Sequence, residues 1–178
     1  MLIIGDSYAA GKEADTGLTR GWPDILNVPQ NLRQAIGGSK ASEWAGNVGN
    51  CLAKAILTPD DMLVVSLLGN DVPSGICNPV QVIVGIENFH HVLVACASNR
   101  KRIFVFLYPD PFFGTNDETR IGTPLINRAI RIGCYGVSVE FVDLENILNK
   151  SCFNGVDIHP TRHGHEVIAD YIKGIGAV

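Results

Sequence analysis

Three stretches of this chain are almost purely apolar yet too short to be helices: LII from Leu2, MLVVSLL from Met62 and IFVFLY from Ile103. A short run with no polar side is buried on both faces, which is the condition of a central strand in a parallel sheet covered by crossover helices. Two further strand-like segments, Leu32 to Ile36 and Val137 to Val142, mix polar and apolar positions. In the second, Val137, Val139 and Phe141 alternate with Ser138 and Glu140, as one wetter face requires. The chain therefore reads as five strands, at Met1 to Ile4, Leu32 to Ile36, Met62 to Leu68, Arg102 to Tyr108 and Val137 to Val142. The first, third and fourth are central and the second and fifth are edges. A flavodoxin-like five-stranded parallel sheet of order 2-1-3-4-5 meets that demand, and its right-handed crossovers put helices on both faces in a three-layer α/β/α sandwich. With 178 residues, positions 1–178 form one domain.

The intervening segments carry helical periods. Trp44, Val48, Cys51, Leu52, Ala55 and Ile56 make one stripe before Pro59. Val82, Ile86, Phe89, Leu93 and Cys96 make a second that ends near Asn99, and Val167, Ile168, Tyr171, Ile172 and Ile175 make a closing helix. A less clearly patterned helix is expected over Ile121 to Ile132. Asp6 to Gln30 reads as loop with room for a short helix near Pro23 to Asn27.

Composition narrows the function classes. The net charge of −4 argues against nucleic acid, and the one basic run, Arg100-Lys101-Arg102, reads as a solvated turn before a strand. No apolar stretch is read as approaching the about 18 residues of a membrane span, and no leader pattern opens the chain. The expectation is a soluble, cytoplasmic protein without stable membrane insertion, with export left open and the oligomeric state undetermined. Cys51, Cys77, Cys96, Cys134 and Cys152 show neither CxxC nor zinc-like spacing, so buried free thiols are expected, a Cys77–Cys152 pair being the alternative.

Glycine is in surplus, 19 of 178 residues against about 7% in ordinary proteins. Ligands of an open parallel sheet bind beyond the carboxyl ends of its strands. Immediately after the first three strands stand Gly5-Asp6-Ser7-Tyr8, Gly37-Gly38-Ser39 and Gly69-Asn70-Asp71. Ser7 on a sharp turn is a candidate nucleophile, and a serine needs a base. Of the five histidines, His90 and His91 fall on a helix surface. His159, in the turn-rich segment Asn154 to Pro160 before the last helix, is the best base. His159, His163 and His165 are not read as a metal site, since Pro160 separates the first from any helix shared with the second. Gly38 through its N–H, Asn70 through its side-chain amide and Ser7 through its own N–H are candidate oxyanion donors. A phosphate-binding or receiver-like domain would want acidic residues with a lysine at the strand ends, and Lys12, Lys40 and Lys54 have no evident placement there.

Ser, Gly, Asn and His in this order, over nearly the whole chain, resemble the SGNH hydrolase superfamily, the GDSL esterases and lipases. The resemblance implies Ser7 as nucleophile, Gly38 (with Gly37 the one-residue alternative) and Asn70 in the oxyanion hole, and His159 as base in Asp157-Ile158-His159-Pro160. It also implies the same three-layer fold. One departure stands out. The family's last block usually carries aspartate three residues before the histidine, where this chain has Val156, while Asp157 is two before. In an extended loop that shift turns a side chain away, so both the Asp157 carboxylate and the Val156 carbonyl remain open as the group that orients His159.

The expected function is a serine esterase for short acyl, chiefly acetyl, esters of a small molecule or carbohydrate, without metal or organic cofactor. Phe112 and Phe113, in the loop after the fourth strand, are candidate substrate contacts. The alternatives are a lysophospholipase- or thioesterase-type acyl hydrolase, or a noncatalytic flavodoxin-like binding or assembly module.

Overall fold

A computed structural model of the chain describes residues 1–54, 62–72, 78–98, 102–109 and 117–176. The apolar runs become strands β1 (Leu2–Gly5), β3 (Met62–Ser66) and β4 (Arg102–Leu107), and the mixed segments become β2 (Arg33–Ala35) and β5 (Glu140–Asp143). All neighbours are parallel and the order is β2-β1-β3-β4-β5. The burial matches the patterning. Leu2 to Ile4, Leu63 to Val65 and Ile103 to Leu107 are almost wholly shielded, whereas β2 is half-buried throughout and β5 leaves Glu140 exposed. Apolar strands flanked by strands and covered on both faces remove the most surface from water, at about 25 cal/mol per Å², which is why they take the centre.

Two strand ends differ from the sequence reading by more than one residue, the others agreeing to within one. β3 stops at Ser66 because Leu68 takes a positive φ of 80° and begins the turn, apolar though it is. β5 starts at Glu140, three residues late, after a turn closed by Gly136; Val137 and Val139 still pack on the core from outside the ladder.

The helices follow their stripes with one break. The stripe from Trp44 is split into helices Ala41–Ala45 and Val48–Lys54, with Gly46 ending the first and the Asn47 amide donating to the Glu43 carbonyl at 2.9 Å. Ala55, Ile56 and Pro59 lie outside the described residues. The crossover between β3 and β4 is the helix Pro79–Ala97, started by proline in its first turn and by the Asn78 side chain, which accepts the Val80 N–H. By length and composition this helix could cross a membrane, with a mean hydropathy of 1.4, which corrects the expectation that no such stretch exists. Its Gly85, Phe89, Val92, Leu93 and Cys96 are buried in the structure, while Val80, Ile83, Val84 and Val94 are exposed. Helix Asp117–Gly133 links β4 to β5, and helix Arg162–Gly174 closes the fold.

Because all five strands run the same way, Gly5, Ala35, Ser66, Leu107 and Asp143 end at one edge. The chain from Asn149 to Thr161 returns over that edge before the last helix, whose Thr161 cap accepts the Gly164 N–H. His165, on the first turns of that helix, donates from Nε2 to the Lys12 carbonyl at 2.9 Å and so pins the long Asp6–Gln30 loop to it.

Candidate active site

The turn after β1 is built around a glycine that nothing else can replace. Gly5 has a φ of 152°, and a Cβ there would sit 2.1 Å from the Ser66 carbonyl oxygen. The chain then lifts away from the sheet: Asp6 N–H still donates to Ser66 at 2.9 Å, while the Ser7 carbonyl receives the Lys12 N–H at 3.0 Å. Ser7 is left half-buried at the edge, with its hydroxyl donating to His159 Nε2 at 2.8 Å. Under it lies Asp6, 1% exposed, whose Oδ1 accepts the Tyr8 N–H at 3.0 Å and the Ser66 hydroxyl at 3.1 Å and whose Oδ2 accepts the Tyr108 hydroxyl. Burial pushes this carboxyl up to about 6 despite those three donors.

The histidine loop is bent rather than extended. Asn154 accepts the N–H groups of Val156 and Asp157 at 2.9 and 3.0 Å, and Asp157 Oδ1 accepts the His159 N–H at 3.0 Å, two successive side-chain turns. The second turn carries the carboxylate back over its own chain, so the same Oδ1 also meets His159 Nδ1 at 2.5 Å. The inference that a one-residue offset would point Asp157 away assumed extended backbone, and that assumption fails here. Of the two groups left open, the structure puts the Asp157 carboxylate, not the Val156 carbonyl, on Nδ1. Burial lowers the His159 pKa below its ordinary 6.5, outweighing Asp157, which pulls it up. Burial would raise Asp157, but the His159 N–H and ring reverse this and hold the carboxyl below the usual range. A neutral imidazole with Nδ1–H on a carboxylate leaves Nε2 as an acceptor facing the Ser7 hydroxyl.

The three glycine-containing turns meet through Ser39. Its hydroxyl donates to the Gly5 carbonyl at 3.1 Å and accepts the Trp44 indole N–H at 2.9 Å, and its carbonyl accepts the Asn70 amide at 3.0 Å. Asp71 adds a second tie, taking the Ala41 N–H on both carboxylate oxygens at 3.2 and 3.0 Å. Gly37 faces Ser7, since a Cβ built there would lie 3.8 Å from Ser7 Cβ, and Gly38 follows at a φ of 80° with open space beside it. Among the described residues, the N–H groups of Ser7, Gly37 and Gly38 donate to no protein acceptor. Ser7, the Gly37–Gly38 turn, Asn70, His159 and Asp157 are thus brought to one edge.

Other sequence candidates lie elsewhere. His90 bonds the Gly133 carbonyl at 2.9 Å between two helices and His91 is exposed. His163 is 4.0 Å from Glu166 on the last helix, and among the described residues no three His, Cys, Asp or Glu converge as a metal site would require. Cys51, Cys96, Cys134 and Cys152 are buried, and Cys134 and Cys152 are free thiols, the former pushed up to about 12 by burial. Cys77, Arg100, Lys101, Phe112 and Phe113 lie outside the described residues, while Arg102 pairs with Glu140 at 2.8 and 2.9 Å across β4 and β5. Sequence reasoning missed Ser39 as the clamp and Tyr8 and Tyr108 as its counterparts below the nucleophile. Their only signal was position: Ser39 directly follows the Gly37-Gly38 pair, Tyr8 directly follows Ser7, and Tyr108 ends an apolar run.

Known proteins give the same frame. No curated protein matches the chain in sequence. Similar solved structures include LAE5, an α/β hydrolase enzyme from the metagenome of Lake Arreo, Spain, with 17% identity and a TM-score of 0.70 over 99% of this chain and 94% of that one. Axe2, an acetylxylan esterase from Geobacillus stearothermophilus, shows 16% identity and a TM-score of 0.68 over 98% and 93%. A member of the lipolytic protein G-D-S-L family from Veillonella parvula shows 16% identity and a TM-score of 0.69 over 97% and 94%. The family model for GDSL-like lipases and acylhydrolases matches residues 3–167, from β1 through the histidine loop and into the last helix, and the chain belongs to that family.

Proposed function

We propose that this acylhydrolase is a serine esterase acting on short acyl esters, acetyl esters first among them, with a carbohydrate or other small alcohol as the leaving group. The observation that carries the reading is the line Ser7 Oγ, His159 Nε2, His159 Nδ1, Asp157 Oδ1, with contacts of 2.8 and 2.5 Å. His159 takes the Ser7 proton as Oγ bonds to the ester carbonyl carbon, and the carbonyl π pair moves onto oxygen. The N–H groups of Ser7 and Gly38 and the Asn70 amide are the donors we assign to that oxyanion, each worth roughly 3 to 4 kcal/mol in such sites. Collapse expels the alkoxide, which takes the proton from His159 and leaves acyl-Ser7. Water, deprotonated by His159, attacks the acyl carbon, and the acid leaves as Ser7 recovers its proton. Asp157 stabilises the imidazolium in both halves and stays ionised, in keeping with its depressed pKa.

The short-acyl preference rests on apolar surface next to the site: among the described residues, Ile36 beside the Gly37 turn and Ile158 beside His159 are 60% and 42% exposed and could meet a methyl group. Axe2, similar in fold, is an acetylxylan esterase. The test is an ester panel from acetyl to long acyl chains, with acetylated sugars, on wild type and Ser7→Ala. Turnover that declines with chain length and vanishes in Ser7→Ala is expected. Activity retained in Ser7→Ala refutes the mechanism, a long-chain optimum refutes the substrate class, and absence of fluorophosphonate labelling at Ser7 favours a noncatalytic module.

A further inference from the structure

Where the family's name spells Gly-Asp-Ser-Leu, this chain has Gly5-Asp6-Ser7-Tyr8, so it carries a phenolic hydroxyl directly after the nucleophile. That hydroxyl donates at 2.5 Å to the carbonyl of Ile158, the residue between Asp157 and His159. We propose that Tyr8 is a positioning residue: its hydroxyl holds the Asp157–His159 loop at the depth where His159 Nε2 reaches the adjacent Ser7.

Tyr8 is suited to this because every other part of it is already held. Its N–H is on Asp6, its carbonyl accepts the Trp22 indole N–H at 2.8 Å, and its ring meets Tyr108 edge-on with centroids 5.1 Å apart. The same ring lies 5.6 Å from the His159 imidazole at an interplanar angle of 33°. It is 5% exposed, so the hydroxyl is presented from a fixed base and little rotamer freedom is lost in making the bond. Burial, then the Asp6 and Asp157 charges, raise the phenol pKa, so it remains a donor at any working pH.

The loop needs such an anchor. The bonds from Asn154 and Asp157 set its shape but are internal to it, and its flank is exposed, Val156 at 76%. Its other ties to the body lie at its ends, where the Asn154 amide reaches the Ala14 carbonyl at 3.4 Å and the Pro160 carbonyl accepts the Ala14 N–H at 2.9 Å. Between those ends, among the described residues, the hydrogen bonds to the body are Tyr8 to Ile158 and Ser7 to His159 itself. As Tyr8 is bonded to Ser7 through one peptide, the base is referenced to the backbone of its own nucleophile.

The kinetic consequence rests on the esterase reading, while the structural one does not. Tyr8→Phe keeps the ring and removes the oxygen, and Tyr8→Leu restores the residue of the family's motif should the phenyl ring pack badly. With p-nitrophenyl acetate, and active sites counted by fluorophosphonate titration, we expect kcat per site to fall roughly 10- to 100-fold with KM within about twofold, as a misplaced catalytic group would cause. In parallel, proton NMR of His159 should show its pKa moving up towards the ordinary value as the loop lifts into water, and the low-field Nδ1–H signal weakening. Wild-type kcat and an unmoved His159 titration in the folded variant overturn the proposal, as does a kcat loss explained entirely by fewer titratable sites. If the wild type hydrolyses no ester and takes no label, yet the His159 titration still moves in Tyr8→Phe, the esterase reading fails and the positioning role stands.

Discussion

Replacing Asp6 with asparagine should change how stability depends on pH by an amount that the buried carboxyl sets in advance. In the folded state Asp6 ionises at about 6, against 3.8 for an ordinary aspartate. Between those values the folded protein keeps a proton that the unfolded chain has lost, so stability falls as pH rises, and the loss is complete above the folded pKa. At about 1.4 kcal/mol per pH unit the full loss is about 3 kcal/mol, of which roughly 2 kcal/mol accrues between about pH 4.5 and 7.5. Asparagine never ionises. Its carbonyl oxygen can accept from the Tyr8 N–H and the Ser66 hydroxyl, and its NH2 can donate to the Tyr108 oxygen, so the change in hydrogen bonding is a pH-independent offset. Urea unfolding at several pH values, followed by the fluorescence of buried Trp22 and Trp44, gives the stability of Asp6→Asn minus that of wild type. That difference should rise by about 2 kcal/mol from about pH 4.5 to 7.5. A flat difference would refute the reasoning, because other titrating groups are common to both proteins and cancel.

Three further outcomes follow from the site. Asp157→Asn should lower kcat by roughly 10²- to 10⁴-fold, since the amide no longer favours the Nδ1–H tautomer or stabilises the imidazolium; a loss below tenfold, measured on acetyl esters, would return the orienting role to a backbone carbonyl. The acid limb of kcat/KM should lie below pH 6.5, because His159 acts as a neutral base and burial lowers its pKa; a limb at or above 6.5 contradicts that. Gly38→Ala, at a φ of 80° with no atom in the way, should cost about 1 kcal/mol of stability from the backbone alone, and a kcat loss well beyond that with unchanged folding would place its N–H in the oxyanion hole.

The strand order was legible because the apolar runs at Leu2, Leu63 and Ile103 and the alternation at Val137 report directly how many faces each strand buries. Ser7 and His159 were legible as candidates because a hydroxyl stands just after a strand-end glycine and His159 lies in the turn-rich segment before a capped helix. Less visible were the ends of elements. Leu68 is as apolar as any core strand residue, yet it turns the chain, and the stripe from Trp44 crosses a helix break at Gly46 without losing its period. Side-chain periodicity records which face is buried, not whether the backbone continues.

The amino-acid sequence by itself determined the layers, the sheet order and the edge at which polar residues gather, since these depend on how much apolar surface each segment must hide. Only the tertiary structure decided that Asp157 turns back onto His159, that Ser39 joins the three turns, that Asp6 is sealed beneath Ser7 and that Tyr8 reaches the Ile158 carbonyl. Those contacts join polar groups through bent loops, where no period relates sequence spacing to direction, and their energies depend on how far the folded chain excludes water from each pair.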